Sequence, residues 1–291
     1  LIWHEDGDNI IYSSANSGDR KGYIVNIHSG DITTLNIPGF SYPNFIPQTN
    51  DLVFHQWQVK SSISQLSLSD NSASSPFPIL QSKFDYHSAD FSSSSKKLVY
   101  ISNESGNNEV WTSDSQGQKR KQLTYLKSQL SFPRWSHNGE EIVFLAAKQT
   151  SLGNDIYIIN VATQRINKLS SNFTAHFRPN WSFDDKAIIT NTLTDNVSTL
   201  SLIPIKSEPP KILLRRAVLQ AVQDTEENIW FTTTSNDGLW LYQPKNKNDN
   251  LKQVLRKDTF NVNYNWTVTD KGIYYQYDEK THHSIMFYDF N

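Results

Sequence analysis

The chain has 291 residues, with 27 Lys and Arg against 29 Asp and Glu, so its formal net charge is -2. That balance supplies no strong field for a nucleic-acid backbone or an anionic membrane surface. It has no cysteine, which excludes disulfides, thiolate catalysis and Cys-ligated zinc.

The segments repeat. Repeat one begins at Trp3, with strands expected from Asn9 to Ser14, Tyr23 to Ile27 and Ile32 to Leu35. Repeat two enters through Tyr42-Pro43-Asn44-Phe45 and continues with Asp51 to His55 and Ser64 to Leu68. Its serine-rich tract, Ser67 to Ser75, reads as an exposed hairpin loop before Phe77 to Leu80. Repeat three uses Ser92-Ser93-Ser94-Ser95 as its turn, then Leu98 to Ile101 and Glu109 to Thr112. The basic run Lys119-Arg120-Lys121 reads as a solvated strand start.

Repeat four is the clearest. Pro133-Arg134-Trp135 leads into the turn Ser136-His137-Asn138-Gly139, and Ile142 and Phe144 then alternate as in a half-buried strand. Gly139 is free to take positive φ. Repeat five follows from Trp181, with Leu200 to Leu202 and Ile212 to Leu214. Repeat six has lost the proline and tryptophan but keeps Val222, Ile229, Trp230 and Phe231. The segment Leu213 to Gln223 reads as two adjacent strands. Repeat seven has Trp266, Ile273 to Gln276 and Ser284 to Tyr288, and one strand short of four.

Counting fixes the register. From anchors at positions 3, 45, 91, 135, 181, 222 and 266, an aliphatic residue falls seven places later every time. An aromatic falls nine places later in six cases, Thr190 being the exception. The anchors stand 42, 46, 44, 46, 41 and 44 residues apart. Sandwiches repeat turns every ~8–12 residues, whereas a motif repeating every ~44 belongs to four-stranded propeller blades. The expected fold is all-β: a seven-bladed propeller of four-stranded antiparallel blades, residues 1–291 forming one domain. No stretch sustains a helical period. No apolar run approaches the ~18 residues of a membrane helix, and no signal peptide is present. The start inside a repeat, at Leu1-Ile2-Trp3, leads us to expect a piece of a longer or processed protein, any anchor or signal lying outside it.

The motifs Trp135-Ser136-His137-Asn138-Gly139, Asp155-Ile156-Tyr157, Lys168-Leu169-Ser170 and Trp181-Ser182-Phe183-Asp184 resemble the TolB-type, WD40-like propeller repeat. The resemblance runs through all seven registers and is weakest in repeats two and six. The Gly-His and Trp-Asp dipeptides of true WD40 repeats are missing, and the propeller of TolB itself has six blades. Proteins with such repeats include TolB-like periplasmic binding proteins, the propellers of prolyl-oligopeptidase-type serine peptidases, and the periplasmic sensor regions of membrane-bound winged-helix regulators that look like ToxR or CadC. The last is the expected context. The resemblance implies a non-enzymatic, periplasmic sensor, with the DNA-binding part outside this chain. The peptidase propeller and the TolB-like scaffold are the alternatives.

No G-x-S-x-G, H-E-x-x-H, Walker, G-x-G-x-x-G or EF-hand motif occurs, so neither cofactor nor metal is expected. His282-His283 reads as an exposed hairpin tip. Five N-x-[ST] sequons, at Asn103, Asn172, Asn180, Asn196 and Asn265, read as incidental, with Asn180 and Asn265 partly buried. Propellers bind ligands at the axis, where the innermost strands converge. Residues three to five places before each anchor lie at that end. They include Tyr42, Tyr86, His87, Phe132, His176 and Arg178, an aromatic and cationic set suited to a peptide, a protein or a small anionic ligand. The alternative role for these side chains is packing between blades.

Overall fold

The computed structural model describes residues 1–14, 20–37, 39–46, 49, 51–56, 60–69, 72–73, 75–148, 153–169, 173–206, 208–246, 250–257, 265–278 and 283–290. Among them there are strands and no helix. Every strand pairing is antiparallel, and five sheets have four strands laid side by side in chain order. This is a propeller-like arrangement. His282, Asn172 and part of the serine-rich tract lie outside the described residues.

Two repeats depart from the expected four strands. Repeat two is divided into three two-stranded pieces: Phe40–Phe45 with Leu52–Gln56, Ile63–Gln65 with Phe77–Leu80, and Leu68–Ser69 with Ser72–Ala73. The composition explains it. The Ser/Asn tract has low strand preference, and Pro78 removes a ladder donor beside a register shift between Pro78 and Leu80. Repeat seven has three strands, Trp266–Val268, Gly272–Asp278 and His283–Asp289.

The chain forms two compact units, residues 1–89 with 97–131, and residues 90–96 with 132–291. The first holds repeats one and two and most of repeat three. Leu80, Tyr86, Leu98 and Tyr100 form a buried cluster in it. Glu109 is buried there: its carboxylate accepts from the Thr124 hydroxyl at 2.6 Å and from the amides of Leu126 and Lys127 at 3.1 and 2.8 Å. That glutamate fixes the connection that leaves repeat three.

The second unit holds repeats four to seven. Consecutive sheets pack face to face. Val143, Leu145, Ile156 and Ile158 of repeat four meet Trp181, Ile188 and Ile203 of repeat five. Ile189 and Leu200 meet Val218, Ala221, Ile229 and Phe231 of repeat six. Trp230 and Leu239 meet Trp266 and Ile273 of repeat seven. Trp181 and Trp266 therefore sit between sheets, whereas the anchors Trp3 and Phe91 are exposed. Polar bonds reinforce the stacking at the turn end. The Trp181 indole donates to the Arg134 carbonyl at 3.0 Å, and the Asp185 carboxylate accepts from the amides of His137 and Asn138 at 2.8 and 2.9 Å. Gly139 takes φ 74, and an added Cβ would meet Ser92 Oγ at 2.9 Å.

Candidate functional site: the strand start shared by repeats four and five

The first strands of the repeats carry a feature that the spacing does not disclose. Three places before the anchor, Tyr42, Ser88, Phe132 and Arg178 all adopt positive φ, between 48 and 55. A non-glycine residue held in that region costs on the order of 1–3 kcal/mol and persists only where its surroundings impose it. The pairing register shifts at this point, between Ser41 and Asn44 in repeat two and between Phe177 and Asn180 in repeat five. These are bulges, which re-aim a side chain out of the regular alternation.

In the second unit the re-aimed side chains meet. The Arg178 guanidinium lies 4.5 Å from the centre of the Phe132 ring. Two residues upstream, His176 is buried, packed edge-on against Phe173 with ring centres 5.7 Å apart. Burial pushes its imidazole down to about 4, helped by the Lys148 charge. Lys148 donates to the Thr174 carbonyl at 2.5 Å and lies 3.8 Å from Asp155. Lys168 is 2.7 Å from the other oxygen of Asp155, and this hydrogen bond raises its own pKa. Lys148 and Lys168 thus flank one carboxylate, and Arg178 stands two residues along the strand from the His176 whose charge both lysines oppose. Chemically this end of the sheet pair is an electropositive, aromatic-faced edge.

Of the six residues read from the sequence, Phe132, His176 and Arg178 fall together here. Phe132 and Arg178 are partly exposed, whereas His176 is beneath the surface as a packing residue. Tyr42, Tyr86 and His87 belong to the first unit. Tyr42 is 82% exposed, its ring 6.3 Å from that of His55. Tyr86 is buried and bonds Ser82 and Arg120 at 2.8 and 3.2 Å, where burial raises its phenol pKa. Arg120, read as a solvated strand start, is fixed there by Glu104 at 2.9 Å. His87 Nδ1 lies 3.0 Å from Ser88 Oγ. Asn180 is half-buried as expected, but Asn265 is exposed.

Sequence reasoning missed Lys148, Asp155 and Lys168. A signal existed: Asp155 and Glu109 occupy equivalent cross-strand positions, opposite Ala146 and Ser102, in repeats whose aromatics are Phe144 and Tyr100. The recurrence of an acidic residue at one register of the repeat is the signal that could be read.

Residues 52–195 match the family described as TolB beta propeller domain. The fold is a TolB-like β-propeller. No curated protein matches the sequence. Among solved structures, TolB from Acinetobacter baumannii is 16% identical with a TM-score of 0.52 over 82% of this chain. The chain spans 61% of the length of that TolB structure. An oligogalacturonate lyase from Vibrio parahaemolyticus is 9% identical with a TM-score of 0.54, covering 99% of this chain and 88% of its own. A puromycin-hydrolyzing peptidase from Mycobacterium tuberculosis is 11% identical with a TM-score of 0.58, covering 97% of this chain and 50% of its own. At such identities the likeness concerns the fold.

Proposed function

We propose that the chain is a seven-bladed, TolB-like propeller that works as a non-enzymatic binding module on the extracytoplasmic side of a bacterial envelope. In this reading it senses or captures an acidic ligand, and the periplasmic part of a membrane-bound regulator is the context that suits such a module. One observation carries the ligand class: Arg178, re-aimed by a bulge and stacked on Phe132, on the strand start where Lys148 and Lys168 flank Asp155. Stacking engages the face of the guanidinium, while its N–H donors lie in the plane and suit a carboxylate. Tyr42, Tyr86 and His87 stand outside this core of the proposal.

The test is calorimetric titration with glutamate-rich peptides. Arg178→Ala is expected to weaken binding about tenfold, the loss of roughly one charge-assisted bond. Lys245→Ala, at the exposed ion pair with Glu227 in repeat six, is expected to leave it unchanged. Binding that survives Arg178→Ala would sink the site. A second reading, the propeller of a prolyl-oligopeptidase-type peptidase, is favoured by the peptidase likeness, in which this chain covers half of the other protein. A G-x-S-x-G domain in the same gene would decide for it.

A further inference from the structure

Arg216 lies between the strands Lys211–Leu214 and Val218–Gln223, within the second unit. Its guanidinium is 4.3 Å from the centre of the Trp240 ring. Among the described residues it makes no hydrogen bond and no ion pair. Its Nη1 is buried without an acceptor, while Nε and Nη2 remain accessible. A charged donor withdrawn from water and left unmet is costly. The indole beneath it is fixed. Trp240 stands opposite Phe231, their rings stacked at 6.4 Å. Its Nε1 donates to Asp237 Oδ1 at 3.1 Å, and the Thr233 hydroxyl donates to the same oxygen. The turn that carries Asp237 is tied to the residue after Arg216, because the Thr234 amide donates to the Ala217 carbonyl at 3.1 Å. Asp237 Oδ2 takes no bond among the described residues and remains accessible. Burial would raise the Asp237 carboxyl, but the bonds from Thr233 and Trp240 and the Arg216 charge hold it below its usual value, so it is ionised at neutral pH. One indole thus holds a cation over its face and an anion at its nitrogen, and the two do not pair.

We infer that this is a binding site for a free α-amino acid, in which Arg216 takes the carboxylate, Asp237 Oδ2 takes the ammonium group, and Trp240 sets their spacing. Were Arg216 present only to balance Asp237, the shorter course is a direct ion pair, such as Arg120 makes with Glu104 at 2.9 Å. Held apart, the two charges each keep an open edge. The plane of a stacked guanidinium leaves its N–H donors free for a carboxylate. A lone anion here meets the like charge of Asp237, and a lone cation meets that of Arg216. A zwitterion satisfies both, so the site selects for the two groups together and against either alone. Because the indole is already fixed by Phe231 and Asp237, little ordering remains to oppose binding. The site shares no residue with the stack of Arg178 on Phe132 and does not rest on that reading.

The test is a titration of the nitrogen-labelled 291-residue chain with glycine, at neutral pH and constant ionic strength, followed by nuclear magnetic resonance. The signal read is the Trp240 indole N–H, identified by its loss in Trp240→Phe. Glycine is expected to shift it saturably, with a dissociation constant on the order of 1 mM. Acetate and methylammonium, which carry one group each, should bind at least about tenfold more weakly. Arg216→Met should weaken glycine at least about tenfold, and so should Asp237→Asn, which keeps an acceptor for the indole. Arg215→Ala removes an exposed neighbouring charge and should change nothing. The other indole signals report whether each variant keeps its fold, and where one does not, the comparison of the three probes on the parent chain still decides. Absence of a saturable shift up to about 100 mM glycine overturns the inference. So does acetate binding as well as glycine, which would make this a plain anion site, or glycine binding that survives either substitution in a folded variant.

Discussion

At the ninth place after the anchor, repeat four carries Phe144 and repeat five carries Thr190. Phe144 stands opposite Tyr157, their rings stacked at 5.7 Å. Thr190 stands opposite Ser201, and the next pair on that face is Thr192 opposite Thr199. The hydroxyl of Thr192 lies 2.7 Å from that of Thr199 and 2.9 Å from that of Ser201, all of them buried. Two neighbouring sheets on one plan thus fill the same layer with opposite chemistry. The bulge does not by itself explain this, because repeat two has the same register shift with Phe54 at that place. In repeat five the bulge interrupts the ladder between Phe177 and Asn180, and the Thr190 hydroxyl donates to the Phe177 carbonyl at 2.9 Å. An aromatic at position 190 would leave that carbonyl without its donor. The repeat specifies a matched cross-strand pair, and an aromatic pair is one way to meet it.

The largest expected effect breaks both repeats at their shared element. Trp135 and Trp181 are buried, Trp181 between the sheets of repeats four and five, so replacing either with alanine should cost about 3–5 kcal/mol. Phenylalanine separates them. Trp181 loses its bond to the Arg134 carbonyl, while the Trp135 Nε1 has no partner among the described residues. Trp181→Phe should therefore cost about 1 kcal/mol more than Trp135→Phe in urea unfolding. Equal costs would show that the indole bond adds nothing.

Acid should act next, and on repeat five more than on repeat four. His176 is held neutral, its pKa lowered from 6.5 to about 4 by burial, with Lys148 and Lys168 opposing its charge, Asp155 favouring it and Phe173 against the ring. The unfolded chain takes up a proton near pH 6.5 and the folded one only near 4. Stability contributed by neutral His176 is therefore complete above about pH 6.5 and is lost as pH falls toward 4. The integrated loss is on the order of 3 kcal/mol. His176→Gln should flatten that part of the melting profile. An unchanged slope would place the proton uptake elsewhere.

The repeat is legible because burial imposes it. An aliphatic at plus seven and a cross-strand partner at plus nine follow from a strand with one face against its neighbour, and Ile142, Ile188 and Ile273 are buried accordingly. Repeat two is less legible, since its anchors keep their spacing while Pro78 and the serine tract divide the sheet. The site is half legible. Position relative to the anchor finds Arg178 and Phe132, but nothing in the local sequence marks a backbone at φ 51, because Phe132 has no intrinsic preference for it. By position His176 reads either as a ligand-facing residue or as packing between blades; its burial is decided by repeat four, whose Lys148 and Asn154 bond the backbone at the strand start.

A smaller change sharpens the contrast in the layer itself. Thr192→Val keeps the shape of repeat five but removes the hydroxyl shared by Thr199 and Ser201. One buried hydroxyl should lose a partner, for a cost of about 1–2 kcal/mol. Ile142→Val in repeat four, where no polar group depends on the side chain, should cost about 1 kcal/mol through packing alone. If the threonine variant proves neutral, the hydroxyl network is replaceable by apolar contact, and the explanation for Thr190 weakens with it.

The smallest effect joins the two repeats at their strand starts. Arg178 stacks on Phe132 at 4.5 Å with both residues partly exposed, a geometry worth about 0.5–1 kcal/mol. Phe132→Leu keeps apolar volume and removes the π face. Arg178→Met keeps much of the stem and removes the charge. Each single change also disturbs packing and the bulge, so neither alone isolates the stack. The double-mutant cycle does, because those separate costs cancel and the coupling remains. A coupling of about 0.5–1 kcal/mol, little altered by salt since the face of the ring excludes counterions from the contact, is the expected result. A coupling near zero would mean that Arg178 lies over Phe132 without being held by it.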